Sequence, residues 1–240
     1  MADQRTTAGP GPHRPSTEVP EVPEALAARD PAASAATSAR RLVGFAHERL
    51  ARQLEFVLEV DRLKSVLRRT VVSDRSRREN SAEHSWHLAL MSLLLVEHAN
   101  NEVDPLRTLK MLLVHDIVEV DAGDTFCYDA EANQDKEERE RRAADRLFGL
   151  LPEDQAGELR DLWEEFERRE SPEACFAAAL DRLQPMMLNY LTEGHSWREH
   201  GVREHQVLAR NRPIEDGARE LWSLVERFID DAVERGILER

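Results

Sequence analysis

Apolar residues recur at helical spacing along almost the whole chain beyond residue 40. Phe56, Val60, Leu63 and Leu67 follow one another at four- and three-residue steps, the stripe of a helix that buries one face. A second helix is predicted from Ser81, read as its N-cap, through HSWHLALMSLLLVEHA to about Asn100. Asp104-Pro105 opens a third, expected to reach Glu119, with Gly123 marking the bend beyond it. A charged helix is expected over about 131–150, another from Pro152 to about Glu170, and an apolar one from Pro172 that carries Asp181. Amphipathic segments near 196–210 and 213–236 close the chain. There is no strand-like alternation of any length and no internal repeat, so the pattern predicts a single all-α domain over residues 38–240. Residues 1–37 differ: they are rich in Pro, Ala, Ser and Thr and have no periodic apolar face. Such a segment cannot bury enough surface to offset its ordering entropy and is expected to be a disordered tail. Asp3, Glu18, Glu21, Glu24 and Asp30 make it too acidic for a transit peptide.

The polar residues set into these apolar stretches carry the chemistry. His84, the adjacent pair His115-Asp116, and Asp181 all lie in greasy helices, where an uncompensated polar group is costly. A divalent cation would compensate them, because neutral imidazole and carboxylate together suit transition metals. Two carboxylates would also cancel the ion's charge and leave positions open for water and substrate. Each residue alone has a plainer reading. Histidines such as His87, His98, His195, His200 and His205 show how often the residue occurs here, and a buried Asp181 could pair with an arginine. The four together point to a hydrolytic metal site.

Glu119 lies four residues after His115 and three after Asp116, so on a continuous helix it would share their face. Asp124 follows Gly123 just past the helix end. Neither is needed as a ligand, which leaves both for proton transfer or for orienting the ligands. The plainer alternative for VEVDAGD is a solvated acidic turn. Arg68, Arg69, Arg75, Arg77 and Arg78 crowd the link between the first two core helices. Arginine suits bidentate phosphate contact. One or two are expected to face the metal, the rest forming a solvated basic helix end.

Composition narrows the classes. The chain has 240 residues, 41% hydrophobic and 33% charged, enough for one sizeable core with charged outer faces. A net charge of -14 argues against a binder of polymeric nucleic acid, yet allows a small phosphorylated ligand. Two cysteines, Cys127 and Cys175, are too few for a disulfide framework and suit a reducing cytosol. No run has the length of a membrane span and no signal-peptide core precedes the domain. A cytoplasmic protein with no membrane partner is expected, and a homodimer is compatible.

His84, the His115-Asp116 doublet and Asp181 resemble the H…HD…D signature of the HD-domain phosphohydrolases. The subgroup that includes the bacterial 5′-deoxynucleotidases and the human HD-domain-containing protein 2 type has a pattern RREN-x-x-EHS, present here from Arg77 to Ser85. Its HD-x-x-E-x-x-x-GD pattern runs from His115 to Asp124. The likeness covers roughly residues 50–195. It implies an HD-domain helical bundle and a metal-dependent phosphomonoesterase acting on nucleoside 5′-monophosphates. It also implies His84, His115, Asp116 and Asp181 as ligands of one Mn, Co, Fe, Zn or Mg ion, Glu119 as catalytic carboxylate, and Asp124 with Thr125 as a substrate-contacting loop. Arg68 resembles the arginine that orients the phosphate, with Arg69 and Arg77 as further candidate contacts. Two histidines among the ligands favour the softer ions. The bacterial deoxynucleotidases carry Trp where this chain has Arg69, so the preference for deoxyribose is expected to be weak. Among alternatives, a dNTP triphosphohydrolase would want a larger basic pocket. A cyclic-dinucleotide phosphodiesterase would want a second metal and a GYP motif, which the chain lacks. A non-catalytic nucleotide-binding module would have no use for Glu119 and Asp124.

Overall fold

The computed structural model describes residues 31–129 and 131–240. The first described helix is α1 (Pro31–Gly44), and the main compact unit is Leu42–Arg240. Residues 31–37, expected in the tail, are therefore helical, and the remainder of that expected tail lies outside the described residues.

The apolar stripe that begins at Phe56 does not continue as one helix. Helix α2 (Glu48–Val60) passes into a 3-10 turn, Asp61–Ser65, and then into strand β1 (Leu67–Val71). This pairs antiparallel with β2 (Arg78–Asn80), Leu67 opposite Asn80 and Val71 opposite Arg78. The expected absence of strands is corrected by this hairpin. Leu67 keeps the helical spacing but is 56% exposed, while Thr70 and Val71 point inward. Two strands of five and three residues are too short for alternation to declare itself, and β-branched residues at 70–72 favour the extended state.

Helix α3 (Ser81–Leu95) is capped by Asn80 rather than Ser81. The Asn80 side chain accepts from the Glu83 amide at 2.9 Å and the Glu83 carboxylate accepts from the Asn80 amide at 2.8 Å, a reciprocal capping box. It ends at Leu95, short of the expected Asn100, in a 3-10 turn over Val96–His98. Helix α4 (Pro105–Val114) starts as expected, with Asp104 capping Leu106 and Arg107. It stops at Val114, five residues early. The chain then tightens into three-residue turns, with Ile117 N donating to Val114 O and Glu119 N to Asp116 O, before the single turn α5 (Glu119–Ala122). Helices α6 (Lys136–Phe148), α7 (Glu153–Arg168) and α8 (Pro172–Leu191) follow near their predicted bounds. The C-terminal segments resolve into α9 (His195–Glu199), α10 (Glu204–Asn211), α11 (Ile214–Gly217) and α12 (Arg219–Glu234).

Two apolar clusters hold this bundle together. One surrounds α8 and takes in Met111, Leu112, Phe176, Leu180, Trp197, Trp222 and Ile229. The other joins Phe56 and Leu63 to Val114, Ile117, Val118, Leu147 and Phe148. The end of α4 thus feeds both clusters, and His115-Asp116 falls at the seam. Gly217 lets α11 close directly on α8, for a Cβ there would stand 2.2 Å from the Cys175 carbonyl oxygen. Gly217→Ala is expected to cost about 3 kcal/mol, the upper end of core overpacking, because a backbone atom cannot swing aside. A urea midpoint equal to the parent's would show that α11 can shift freely. Among the described residues, no helix is long and apolar enough to cross a membrane.

Candidate metal centre

Three elements deliver the four candidate ligands to the seam. α3 contributes His84 from its first turn, the turn that follows α4 contributes His115 and Asp116, and α8 contributes Asp181 from its middle. The ligand atoms of His84, His115 and Asp181 lie within 4.8 Å of one another. His84 Nε2 is 3.1 Å from Asp181 Oδ1, and His115 Nε2 is 3.7 Å from the same oxygen. Asp116 joins them from the side, its Oδ1 3.1 Å from His115 Nε2 and its Oδ2 4.0 Å from His84 Nε2.

The donor set fits a divalent transition-metal ion. His115 Nδ1 donates to the Leu112 carbonyl at 2.9 Å, so the lone pair of the neutral ring resides on Nε2. That nitrogen is buried with no hydrogen-bond partner among the described residues, an orphan pointing at carboxylates. A cation between them would satisfy both sides. The electrostatics agree. Burial pulls the His115 imidazole down, but Asp116 and Asp181 outweigh it and raise it to about 9. His84 is raised too, burial and Arg68 being outweighed by Asp181 and Glu79. Burial works against the Asp181 charge, yet the two imidazoles hold its carboxyl well below the usual range. A site that attracts protons this strongly attracts other cations, and metal uptake would displace those protons.

Arg68 and Glu119 flank the centre. Arg68 Nη1 donates to Asp116 Oδ2 at 2.9 Å and lies 4.0 Å from Asp124 Oδ1. Burial disfavours its charge, but Asp116, Glu119, Asp124 and Asp181 outweigh that and hold the guanidinium firmly cationic. Glu119 does not share a helix with His115, as the spacing suggested. The break after Val114 places it at the start of α5, where its Oε2 accepts from the Ser81 hydroxyl at 2.6 Å. Burial, and then the Asp116 charge, push the Glu119 carboxyl up to about 8 against the pull of Arg68. Asp124 is raised as well, chiefly by burial.

A cavity opens in front of these groups. Its lining includes Arg68, Asp116, Glu119, Asp124, Thr125 and Asp181, together with Lys136, Arg182, Arg210 and Tyr128. The arginine cluster is divided. Arg69 is exposed but reaches the cavity lining, whereas Arg77 turns away to a two-pronged pair with Glu83, Nη2 to Oε2 at 2.8 Å. The capping box of α3 holds Glu83 where it claims Arg77, so Arg77 is not brought to the site as expected. Arg78 pairs outward with Glu199 at 3.4 Å. Sequence reasoning missed Glu79 and Gln184, which meet behind His84, as well as the cations Lys136, Arg182 and Arg210. The only available signal was that Glu79 belongs to the RREN stretch and Gln184 lies one helical turn after Asp181.

A family description for the HD domain matches residues 60–222. The chain belongs to the HD domain family. Curated relatives within it include 5′-deoxynucleotidase HDDC2 of Bos taurus, 35% identical over 136 residues, covering 56% of this chain and 64% of that protein. The Homo sapiens protein of the same name is 33% identical over 135 residues, covering 56% and 65% respectively. The chain thus spans slightly under two thirds of the length of these relatives. Among solved structures, one described as a predicted metal-dependent phosphohydrolase from Magnetospirillum magnetotacticum MS-1 is 54% identical, with a TM-score of 0.77 over 80% of this chain and 96% of that one.

Proposed function

We propose that this HD domain protein is a metal-dependent phosphomonoesterase that releases phosphate from nucleoside 5′-monophosphates. The observation that carries the reading is the convergence, in one cavity, of a His84–His115–Asp181 cluster with a cationic Arg68 and a carboxyl, Glu119, held up at about 8. The names of the HDDC2 relatives support the substrate class.

His84, His115, Asp116 and Asp181 would hold one divalent ion. When bound, that ion supplies an activated water and neutralises charge developing on phosphorus. Arg68 keeps guanidinium donors beyond the one spent on Asp116, and these bind phosphate oxygens. Glu119, steadied by Ser81 and with its carboxyl raised by burial and by Asp116, delivers a proton to the departing 5′-oxygen. Asp124 and Thr125 line the same cavity and position the sugar, Thr125 being fixed by a 3.1 Å bond from Arg139.

The deciding experiment is phosphate release from a panel of ribo- and deoxyribonucleoside monophosphates across several divalent metals, before and after chelation. Turnover that survives complete metal removal defeats the reading. Release of triphosphate from dNTPs, with monophosphates inert, replaces it with a triphosphohydrolase. Arg69 sets a finer expectation. A long cation at the rim can donate to a 2′-hydroxyl, where a flat Trp would exclude it by shape. The deoxy preference is expected to stay under about tenfold, or about 1.4 kcal/mol, and Arg69→Trp to sharpen it. A strong deoxy preference in the parent, unchanged by the substitution, would mean that Arg69 does not face the sugar.

A further inference from the structure

Helix α3 is apolar on two faces. One is the buried side that carries Leu88 and Met91 together with His84. The other holds Trp86, Leu90, Leu93 and Leu94, whose spacing of four, three and one residues puts them on one stripe of the helix. That stripe is open: Trp86 is 64% exposed, Leu90 41%, Leu93 54% and Leu94 65%. A helix that is apolar all round is ordinarily covered by protein all round, and this one is covered on a single side.

Charge avoids the stripe, although 33% of the chain is charged. From His84 to Val96 there is no Asp, Glu, Lys or Arg. Charges return at the two ends. Glu83 stands at one, holding Arg77 by the bond from Nη2 to Oε2 at 2.8 Å, and Glu97 stands just past the other in the 3-10 turn. Glu83 and Glu97 are each seven residues from Leu90.

We propose that this face of α3 is the contact surface of a homodimer, in which the two copies of α3 pack antiparallel about a two-fold axis at Leu90. Symmetry favours a second copy as the occupant, because a two-fold contact uses one patch twice and the patch must complement itself. Pairing about Leu90 does this: apolar residues meet at the centre, and the Arg77–Glu83 pair meets Glu97 of the partner subunit at each end. Size agrees as well. A standard interface takes about 800 Å² from each partner, somewhat over half of it apolar. The four open side chains present on the order of 400 Å², close to that apolar share. Finally, two chains that each carry a net charge of -14 repel one another, so they meet at least cost where charge is missing. The proposal does not rest on the phosphomonoesterase reading.

The test is the mass of the full chain at micromolar concentration, by light scattering and sedimentation, for the parent and for Leu90→Glu. The parent is expected at twice the chain mass. Leu90→Glu sets two carboxylates against each other at the axis, and the dissociation constant is expected to rise about 100-fold or more. Should that variant fail to fold, judged by circular dichroism and its urea midpoint, Leu94→Glu decides, since Leu94 is the most open of the four. A spin label at Glu97→Cys, with Cys127→Ser and Cys175→Ser, is expected to lie about 20 Å or more from its copy across an antiparallel pair. Labels in contact would overturn the antiparallel arrangement. A monomeric parent overturns the proposal, and so does a folded variant that dimerises as tightly as the parent. A parent that dimerises only after removal of residues 1–30 assigns the face to that segment and overturns the second copy as its occupant.

Discussion

His115→Ala is expected to lose both the bound metal and essentially all phosphate release, with no rescue at ordinary metal concentrations. His115 is 4% exposed and packs against Phe166 at 4.8 Å between ring centroids. Its Nδ1 bond to the Leu112 carbonyl pre-aims Nε2, and alanine removes the orientation along with the ligand atom. The substitution also leaves the Asp116 and Asp181 charges with one compensating partner fewer in a buried place. Arg68 stays with Asp116, which should let the protein fold, so the loss can be assigned to the metal. The check is bound metal after dialysis, by elemental analysis, together with phosphate release across a metal titration. A fully active variant would remove His115 from the site.

Glu119→Gln is expected to keep the metal and lose about 10²-fold or more in kcat, the usual scale for a general acid/base. Glutamine preserves the size and the acceptor for Ser81 but cannot give up a proton to the departing oxygen. The pH profile carries the sign. Glu119 must be protonated to act as the acid, so its contribution to activity is complete below its folded pKa and falls as pH rises through it. In the protein alone that point is about 8, and a bound cation nearby draws it lower. The alkaline fall should therefore lie at or below about 8 in the parent and vanish in Glu119→Gln. Metal content that drops in step with activity would make Glu119 a ligand, and a profile unchanged by the substitution would assign the proton to another group.

The outcome at particular residues shows which parts of this protein could be read in one dimension. Pro172, Asp104-Pro105 and the apolar runs after them announced α8 and α4, because caps and periodicity are properties of neighbours in sequence. The break at Val114 was not announced. LKMLLVHDIVEV has an unbroken helical spacing, and the chain departs from it where Asp116 turns to Arg68 while Ile117 and Val118 remain buried in the second cluster. Arg77 illustrates the opposite case. Its charge and position in the motif suggested a phosphate contact, but a neighbouring carboxylate fixed by helix capping took it first.

By itself the amino-acid sequence determined the helical class, most helix starts, the four residues that converge, and the family, since each depends on residue type and short-range spacing. The tertiary structure alone decided the β1–β2 hairpin, which arginines reach the cavity, the raised carboxyl of Glu119, and the buried contacts of Gln184 with Glu79 and His84. These depend on burial and on contacts between distant segments, 105 residues apart for Glu79 and Gln184. His84 meets Gln184 Oε1 and Asp181 Oδ1, each 3.1 Å from one of its ring nitrogens, and only folding brings those groups there.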